Sequence, residues 1–283
     1  MINNKKILSV ITARGDSKGI KNKNVRELMG KPLFMWSVLA SLNSKYIDMT
    51  AVSSNCSKVH KILNKFTEPM INRRVDEHMR KEAYSDTIPF YVQRPEEISG
   101  DLSINEEALI HAVNFYKDRD KKEFDIILNL QPTSPVRLNS LIDKSIEAYI
   151  NGEHDSLLTA SEVTPFLWQK IKGKWDYIDR NFSFAYVKKP YQSSEQYQLI
   201  KSFDDCCERK MRQEIESENK LLYHDNGNIY LTDTKVLMNN KCRIGKNPIV
   251  FPIDKLNSLQ IDTEFDFKLI ENMIKSYNLE NLY

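Results

Sequence analysis

The 283-residue sequence is poor in cysteine and glycine, has no long apolar run and carries almost no net charge; each scarcity narrows what the chain can be. Lys and Arg total 41 against 39 Asp and Glu, a formal net charge of +2, so no global field of either sign draws the chain to DNA, RNA or an anionic membrane. Any basic chemistry must be local. No segment approaches the roughly 20 apolar residues of a membrane-spanning helix, and MINNKKILSVITARGD lacks the apolar core of a signal peptide, so a soluble cytoplasmic protein is expected. Cys56, Cys206, Cys207 and Cys242 have no CxxC spacing, which points to free thiols and away from zinc. Neither GxxxxGK[ST] nor GxGxxG occurs, so the Walker and dinucleotide fingerprints are absent.

What is present is a rhythm of strand followed by helix. Ile7, Leu8, Val10 and Ile11 form a near-continuous apolar run suited to a strand covered on both faces. A polar loop follows, and Lys31-Pro32 then introduces a helix carrying Leu33, Phe34, Trp36, Val38, Leu39 and Leu42, with Pro32 at its first position. Ala51-Val52 ends another strand before a helix near 58–66, and 125–130 reads as a strand before a helix over 140–150 stopped by Gly152. Ser103 and Glu106 stand at capping-box spacing before a helix near 103–116 with Ile104, Ala108 and Ala112 on its buried stripe. Such repetition implies an α/β fold, a Rossmann-like, mostly parallel sheet with helices on both faces. Ligands of such sheets lie beyond the carboxyl ends of the strands, so the loops after Ile11, Ser53 and Leu130 are the places for chemistry. Between Phe166 and Phe203 lie ten of the chain's 28 aromatics, enough to suggest either an arm packing on a second subunit or an aromatic part of this subunit's own core.

The first of those loops is strongly basic. Arg14, Lys18, Lys21, Lys23, Arg26 and Lys31 face only Asp16 and Glu27, and glycines at 15 and 19 let the backbone bend and present N–H groups. An anion site or a plain basic surface loop would both read this way. Ala13-Arg14-Gly15-Asp16-Ser17-Lys18-Gly19-Ile20-Lys21-Asn22-Lys23-Asn24, followed by Gly30-Lys31-Pro32-Leu33, resembles the signature of CMP-sugar synthetases, particularly the acylneuraminate cytidylyltransferases. Arg94-Pro95, Leu130-Gln131-Pro132-Thr133-Ser134-Pro135-Val136-Arg137, Asn226-Gly227-Asn228-Ile229-Tyr230 and Ile261-Asp262-Thr263-Glu264-Phe265-Asp266 resemble later motifs of that family, in the family's order.

The resemblance implies a nucleotide-diphosphosugar-transferase-like fold over 1–283; the aromatic-rich stretch, read as a dimerisation arm near 160–222, makes a homodimer the expectation. The resemblance also implies transfer of CMP from CTP to the anomeric hydroxyl of an acidic, nonulosonate-like sugar, with release of pyrophosphate and Mg²⁺ as cofactor. Arg14, Lys18 and Lys23 are then the catalytic cations; Ala13, Arg14, Ser17, Asn24 and Arg94 bind the nucleotide, with Arg94 reading the cytosine; Gln131, Asn226 and Tyr230 contact the sugar; and Asp262 is the metal ligand. Plainer readings stand beside these: a turn for Arg94-Pro95 and for Gln131, a solvated loop lysine for Lys23, a core strand aromatic for Tyr230. Thr263 and Asp266 have capping-box-like spacing before a helix with Phe267, Ile270, Ile274 and Tyr277 on one face, so Asp266 is read as structural.

Departures from the family pattern fall at the metal and acceptor positions. Gln260 stands where acylneuraminate enzymes place the first of two aspartates, and Pro132-Thr133-Ser134 stands where octulosonic acid synthetases have a Gly-Asp. Asn55 replaces a common aspartate, and Phe166-Leu167-Trp168 follows Thr164-Pro165 where a lysine for the substrate carboxylate can occur. Two other readings therefore stay open: a different carboxylated or phosphonylated acceptor, and a catalytically silent homologue that binds nucleotide or pairs with an active enzyme.

Overall fold

The structure, a computed structural model, describes residues 2–15, 19–77, 88–138, 140–163, 168–171, 174–177, 221–280 and 282. In chain order its strands are β1 (Ile7–Thr12), β2 (Glu27–Leu28), β3 (Lys31–Pro32), β4 (Met49–Ser54), β5 (Phe90–Gln93), β6 (Ile126–Leu130), β7 (Ser156–Val163), β8 (Trp168–Ile171), β9 (Lys174–Tyr177), β10 (Leu222–Asp233) and β11 (Pro248–Pro252). Its α-helices are α1 (Leu33–Leu42), α2 (Ser57–Glu77), α3 (Asn105–Asp120), α4 (Leu141–Asn151), α5 (Thr234–Asn240) and α6 (Glu264–Ser276).

Seven strands form one sheet in the order β11-β7-β10-β6-β1-β4-β5. β1 pairs in parallel with β4, from Leu8↔Met49 to Thr12↔Ser53, and with β6, from Ile7↔Ile126 to Ile11↔Leu130. β4 continues in parallel to β5, β11 is parallel to β7, and β10 runs antiparallel to β6. The expected mostly parallel sheet is therefore present. Side chains alternate across it: Ile7 and Ile11 pack with Phe34, Val38, Leu63 and Ile146 of α1, α2 and α4, while Leu8 and Val10 pack with Leu109, Ala112 and Tyr116 of α3 and Leu237 of α5. That is why β1 reads as a continuous apolar run. Each fully buried Leu or Ile contributes about 1.5–3 kcal/mol by leaving water.

Several expected boundaries shift. α1 starts at Leu33 with Pro32 as its N-cap, one place earlier than the first-turn position expected. α2 runs well past 66, through Pro69 to Glu77, although the apolar spacing that marks it ends at Phe66. The N-terminus of α3 lies one residue later than the Ser103–Glu106 pair implies: the Glu107 carboxylate accepts the Ile104 backbone N–H at 3.2 Å. Ala108 and Ala112 are buried as expected, but Ile104, now ahead of the helix, is 53% exposed. Asn151 ends α4 and Gly152 caps it. On α6, Phe267, Ile270 and Ile274 are buried while Tyr277, at the C-cap, is exposed.

A third apolar cluster joins Ile20, Leu28, Leu33 and Trp36 to Ile261, Phe267, Ile270 and Ile274, so α6 is packed beneath the region that follows the basic loop. The chain divides into two compact units, Met1–Ser161 with Asp225–Tyr283, and Glu162–His224. In the second, β8 and β9 form an antiparallel pair with Trp168 opposite Tyr177. The arm expected over 160–222 falls mostly on residues outside those described.

Candidate functional site

Because β1, β4 and β6 are mutually parallel, their carboxyl ends at Thr12, Ser54 and Leu130 open on one edge of the sheet. There a cleft of about 500 Å³ is lined by Arg14, Lys23, Asn24, Arg94, Gln131 and Asp262, among others. Its volume suits a bound small molecule. Six residues singled out in the sequence, drawn from four separate stretches, thus meet in one place. Ser17 and Lys18 lie outside the described residues.

The basic loop is built from two ends. At the first, Ala13 is buried and its N–H donates to the Ser53 carbonyl at 2.9 Å, extending the β1–β4 pairing by one residue. The Gly15 N–H donates to Asn55 Oδ1 at 2.9 Å, and buried Asn24 donates its amide to the Arg14 carbonyl at 2.7 Å. Asn55, one of the departures from the expected pattern, is therefore used to hold the loop backbone. At the second end, the loop lies against the segment before α6. A Cβ on Gly19 would stand 2.2 Å from the Asp262 carbonyl oxygen, so only glycine admits this approach. Arg26 pairs with Glu264 at 2.5 Å and lies over the Phe267 ring at 4.0 Å.

The cleft's cations are individually oriented. Lys23 Nζ donates to the Ile261 carbonyl at 2.9 Å and to Asp262 Oδ1 at 3.1 Å; its side chain is 12% exposed, against 65% for Asp262. The buried lysine is thus fixed, and the carboxylate remains open to the cleft. Arg14 Nη1 donates to the Gly100 carbonyl at 3.1 Å, with Asp101 4.0 Å from Nη2. Arg94 is 5% exposed, donating from Nε to Ser53 Oγ at 3.1 Å and from Nη2 to the Ser53 carbonyl at 2.9 Å. Burial, and then the nearby Arg14 charge, push the Arg94 guanidinium down to about 10, which leaves it charged at neutral pH. Behind it, burial and the Arg94 charge lower the His111 imidazole, which keeps that ring neutral.

Gln131 begins the turn after β6. Its carbonyl accepts from Arg137 Nη2 at 3.0 Å and Ser37 Oγ at 3.3 Å, and its side chain lines the cleft. Arg137, 3% exposed, also reaches the Asn228 carbonyl at 3.1 Å, so it ties this turn to β10. Asn226 and Tyr230 sit on β10, outside the cleft lining. Buried Asn226 uses Oδ1 to accept from Thr159 Oγ1 at 2.9 Å and from the Asn228 N–H at 3.2 Å. Buried Tyr230 donates its hydroxyl to Asp225 Oδ1 at 2.8 Å beneath the Arg243 guanidinium, and burial pushes its phenol up.

Other lining residues escaped the sequence reading. Asp101 faces Arg14, Ile104 presents its aliphatic side chain, and Asn105 donates to Asn129 Oδ1 at 2.6 Å. The signal for the last was a polar Asn inside the apolar strand Ile-Ile-Leu-Asn-Leu: buried Asn129 donates in turn to the Val10 carbonyl at 3.0 Å. No cluster of three metal-ligating side chains exists among the described residues. One exposed carboxylate, Asp262, suits a hard cation that takes its other oxygens from nucleotide phosphates and water.

A mainly parallel sheet with a cleft of fixed cations beyond its strand ends suits an α/β protein that takes an anionic small molecule there. The chain belongs to the cytidylyltransferase family, whose model matches residues 8–241. It is 25% identical over 276 residues to post-translational flagellin modification protein B of Campylobacter coli, covering 97% of each chain. It is 24% identical over 277 residues to the N-acylneuraminate cytidylyltransferase of Escherichia coli O18:K1:H7, covering 98% of this chain and 54% of that one. In fold it is similar to a CMP:2-keto-3-deoxy-manno-octonic acid synthetase solved with CTP, with a TM-score of 0.56 at 13% identity over 96% of this chain and 99% of that one.

Proposed function

We propose that the enzyme transfers CMP from CTP to the anomeric hydroxyl of an acidic sugar of the nonulosonate kind. The observation that carries this reading is the meeting of Arg14, Lys23, Asn24, Arg94, Gln131 and Asp262 in one cleft at the carboxyl edge of the sheet. The acidic acceptor is supported by the names of the two CMP-sugar enzymes it resembles. In the reaction the acceptor oxygen bonds to the α-phosphorus of CTP, the α–β bridging P–O bond breaks, the hydroxyl proton is released, and pyrophosphate leaves.

In this scheme Arg94, anchored on Ser53, offers its remaining donors to the acceptor atoms of cytosine. Arg14 and Lys23 stabilise the triphosphate and the charge that grows on it, with Ala13, Ser17 and Asn24 at the nucleotide and Lys18 at the reacting phosphate. Preorganised cations of this kind are worth roughly 2.7–4 kcal/mol each when removed. Gln131 serves the sugar from the cleft wall; Asn226 and Tyr230, buried on β10 outside the lining, are assigned to the sugar by the family motif alone. Asp262 would hold Mg²⁺ together with phosphate oxygens; when bound, the ion supplies neutralisation of phosphate charge and polarises the P–O bonds. The protein works in the cytoplasm as a homodimer built through the 160–222 segment.

The test is pyrophosphate release from CTP, UTP and ATP across a panel of sialic, legionaminic, pseudaminic and octulosonic acids. Release with CTP and at least one acid is expected, and abolished by EDTA. Turnover confined to UTP or ATP with neutral sugars would sink the reading. A second reading keeps CTP but takes another carboxylated or phosphonylated acceptor. It is favoured by the departures at the metal and acceptor positions, Gln260 among them, and the same screen over such acceptors separates the two. Turnover removed by Asp262→Ala would eliminate a silent nucleotide-binding role.

A further inference from the structure

Beside the cleft, two amide side chains, those of Gln131 and Gln260, converge on one glycine. Gly227 has φ +64°, and a Cβ there would stand 2.5 Å from Gln260 Nε2 and 3.0 Å from Gln131 Oε1. The Gln260 amide N–H donates to the Asn226 carbonyl, across this same turn. Asn226 has its own amide orientation set by Thr159 Oγ1 and the Asn228 N–H, which leaves its Nδ2 buried and without a hydrogen-bond partner in the protein. Each residue of the 260–262 segment is fastened to a different wall: Gln260 to Asn226, the Ile261 N–H to the Thr133 carbonyl at 2.8 Å, and Asp262 to Lys23.

Gln260 is therefore the link between the Asn226–Gly227 turn and the Asp262 carboxylate. The link requires a donor. A carboxylate at this position would set one acceptor against the Asn226 carbonyl and lose the contact. We infer that Gln260 is a positioning residue: it holds the Asn226–Gly227 turn, against which the Gln131 side chain rests, to the segment that carries Asp262, so that Gln131 meets the acceptor at a set distance from Asp262 while the cations keep to the nucleotide. The inference rests on the acidic-sugar reading above and adds to it the residue that sets the acceptor end.

The experiment compares wild type with Gln260→Met and Gln260→Glu, which match its length but lack the amide donor. The readouts are steady-state pyrophosphate release with CTP and acceptor varied separately, and the Mg²⁺ dependence. Both variants are expected to raise the acceptor KM at least tenfold, leave the CTP KM within twofold, and leave the Mg²⁺ midpoint unchanged for Gln260→Met. Acceptor KM values within twofold of wild type would overturn the inference. So would equal increases in both KM values, which indicate general loosening, or a Gln260→Glu variant altered only in Mg²⁺ dependence. Wild-type protein inactive with every sugar acid would sink the function reading instead. Positioning would then be read from hydrogen exchange at the Gly227–Ile229 amides, where equal rates in wild type and Gln260→Met would overturn it.

Discussion

At Gly19 a single hydrogen decides whether the basic loop can close. The nearest atom to an added methyl is a backbone carbonyl 2.2 Å away, which cannot rotate aside, so the loop itself would have to move. Gly19→Ala is expected to raise the CTP KM more than tenfold in a pyrophosphate assay, with a change of only a few degrees in Tm. Lys23→Met tests the neighbouring contact. It leaves the Ile261 carbonyl without its donor and Asp262 without its partner, and about a hundredfold loss of kcat/KM is expected, consistent with removing one preorganised donor. Arg94→Lys keeps the charge but cannot reproduce the paired donation from Nε and Nη2 to Ser53. Calorimetry should find CTP affinity weakened about tenfold; unchanged affinity would remove Arg94 from the nucleotide site.

α6 is the element that supports the loop from below, and its start is the most fully capped among the described helices. Thr263 Oγ1 accepts the Asp266 N–H at 3.2 Å, while Asp266 Oδ2 accepts the Thr263 N–H at 2.8 Å and the Asp262 N–H at 3.1 Å. Thr263→Ala is expected to cost about 1 kcal/mol, lowering Tm by about 2–4 °C in thermal unfolding; because Asp266 also orders the Asp262 backbone, the Mg²⁺ midpoint should rise as well. This cap was readable in the sequence, as were β1, the basic loop and α4, because each rests on local chemistry: apolar periodicity, short-range hydrogen bonds, glycine. The shape of the sheet's other half was not. β10 opens with Leu-Tyr-His-Asp-Asn-Gly, a polar run that reads as a loop, and joins the sheet because β6 offers it an antiparallel edge from Leu130 to Ile126. Ile104 was misread for a related reason: placing the helix start one residue early turns a cleft-facing side chain into a core one. The links through Gln260 and Arg137 join segments 34 and 91 residues apart, a separation at which no spacing rule operates.

For the whole molecule, the two-unit division gives the oligomer proposal a direct test. Light scattering on the full chain should return twice the mass of one chain, and deletion of 166–203 should halve it; a monomeric wild type would remove the arm's proposed role. Sequence foresaw the sheet because alternation of strand and helix is a property of many residues together, whereas the cleft depends on a few contacts between distant ones. The contact of Gly19 and Lys23 with Asp262 spans about 240 residues. During synthesis, then, the ribosome delivers the basic loop about 240 residues ahead of the surface that shapes it. A nascent chain stopped before residue 262 would carry every basic side chain of the loop and still lack the carbonyls and carboxylate that hold Gly19 and Lys23 in place.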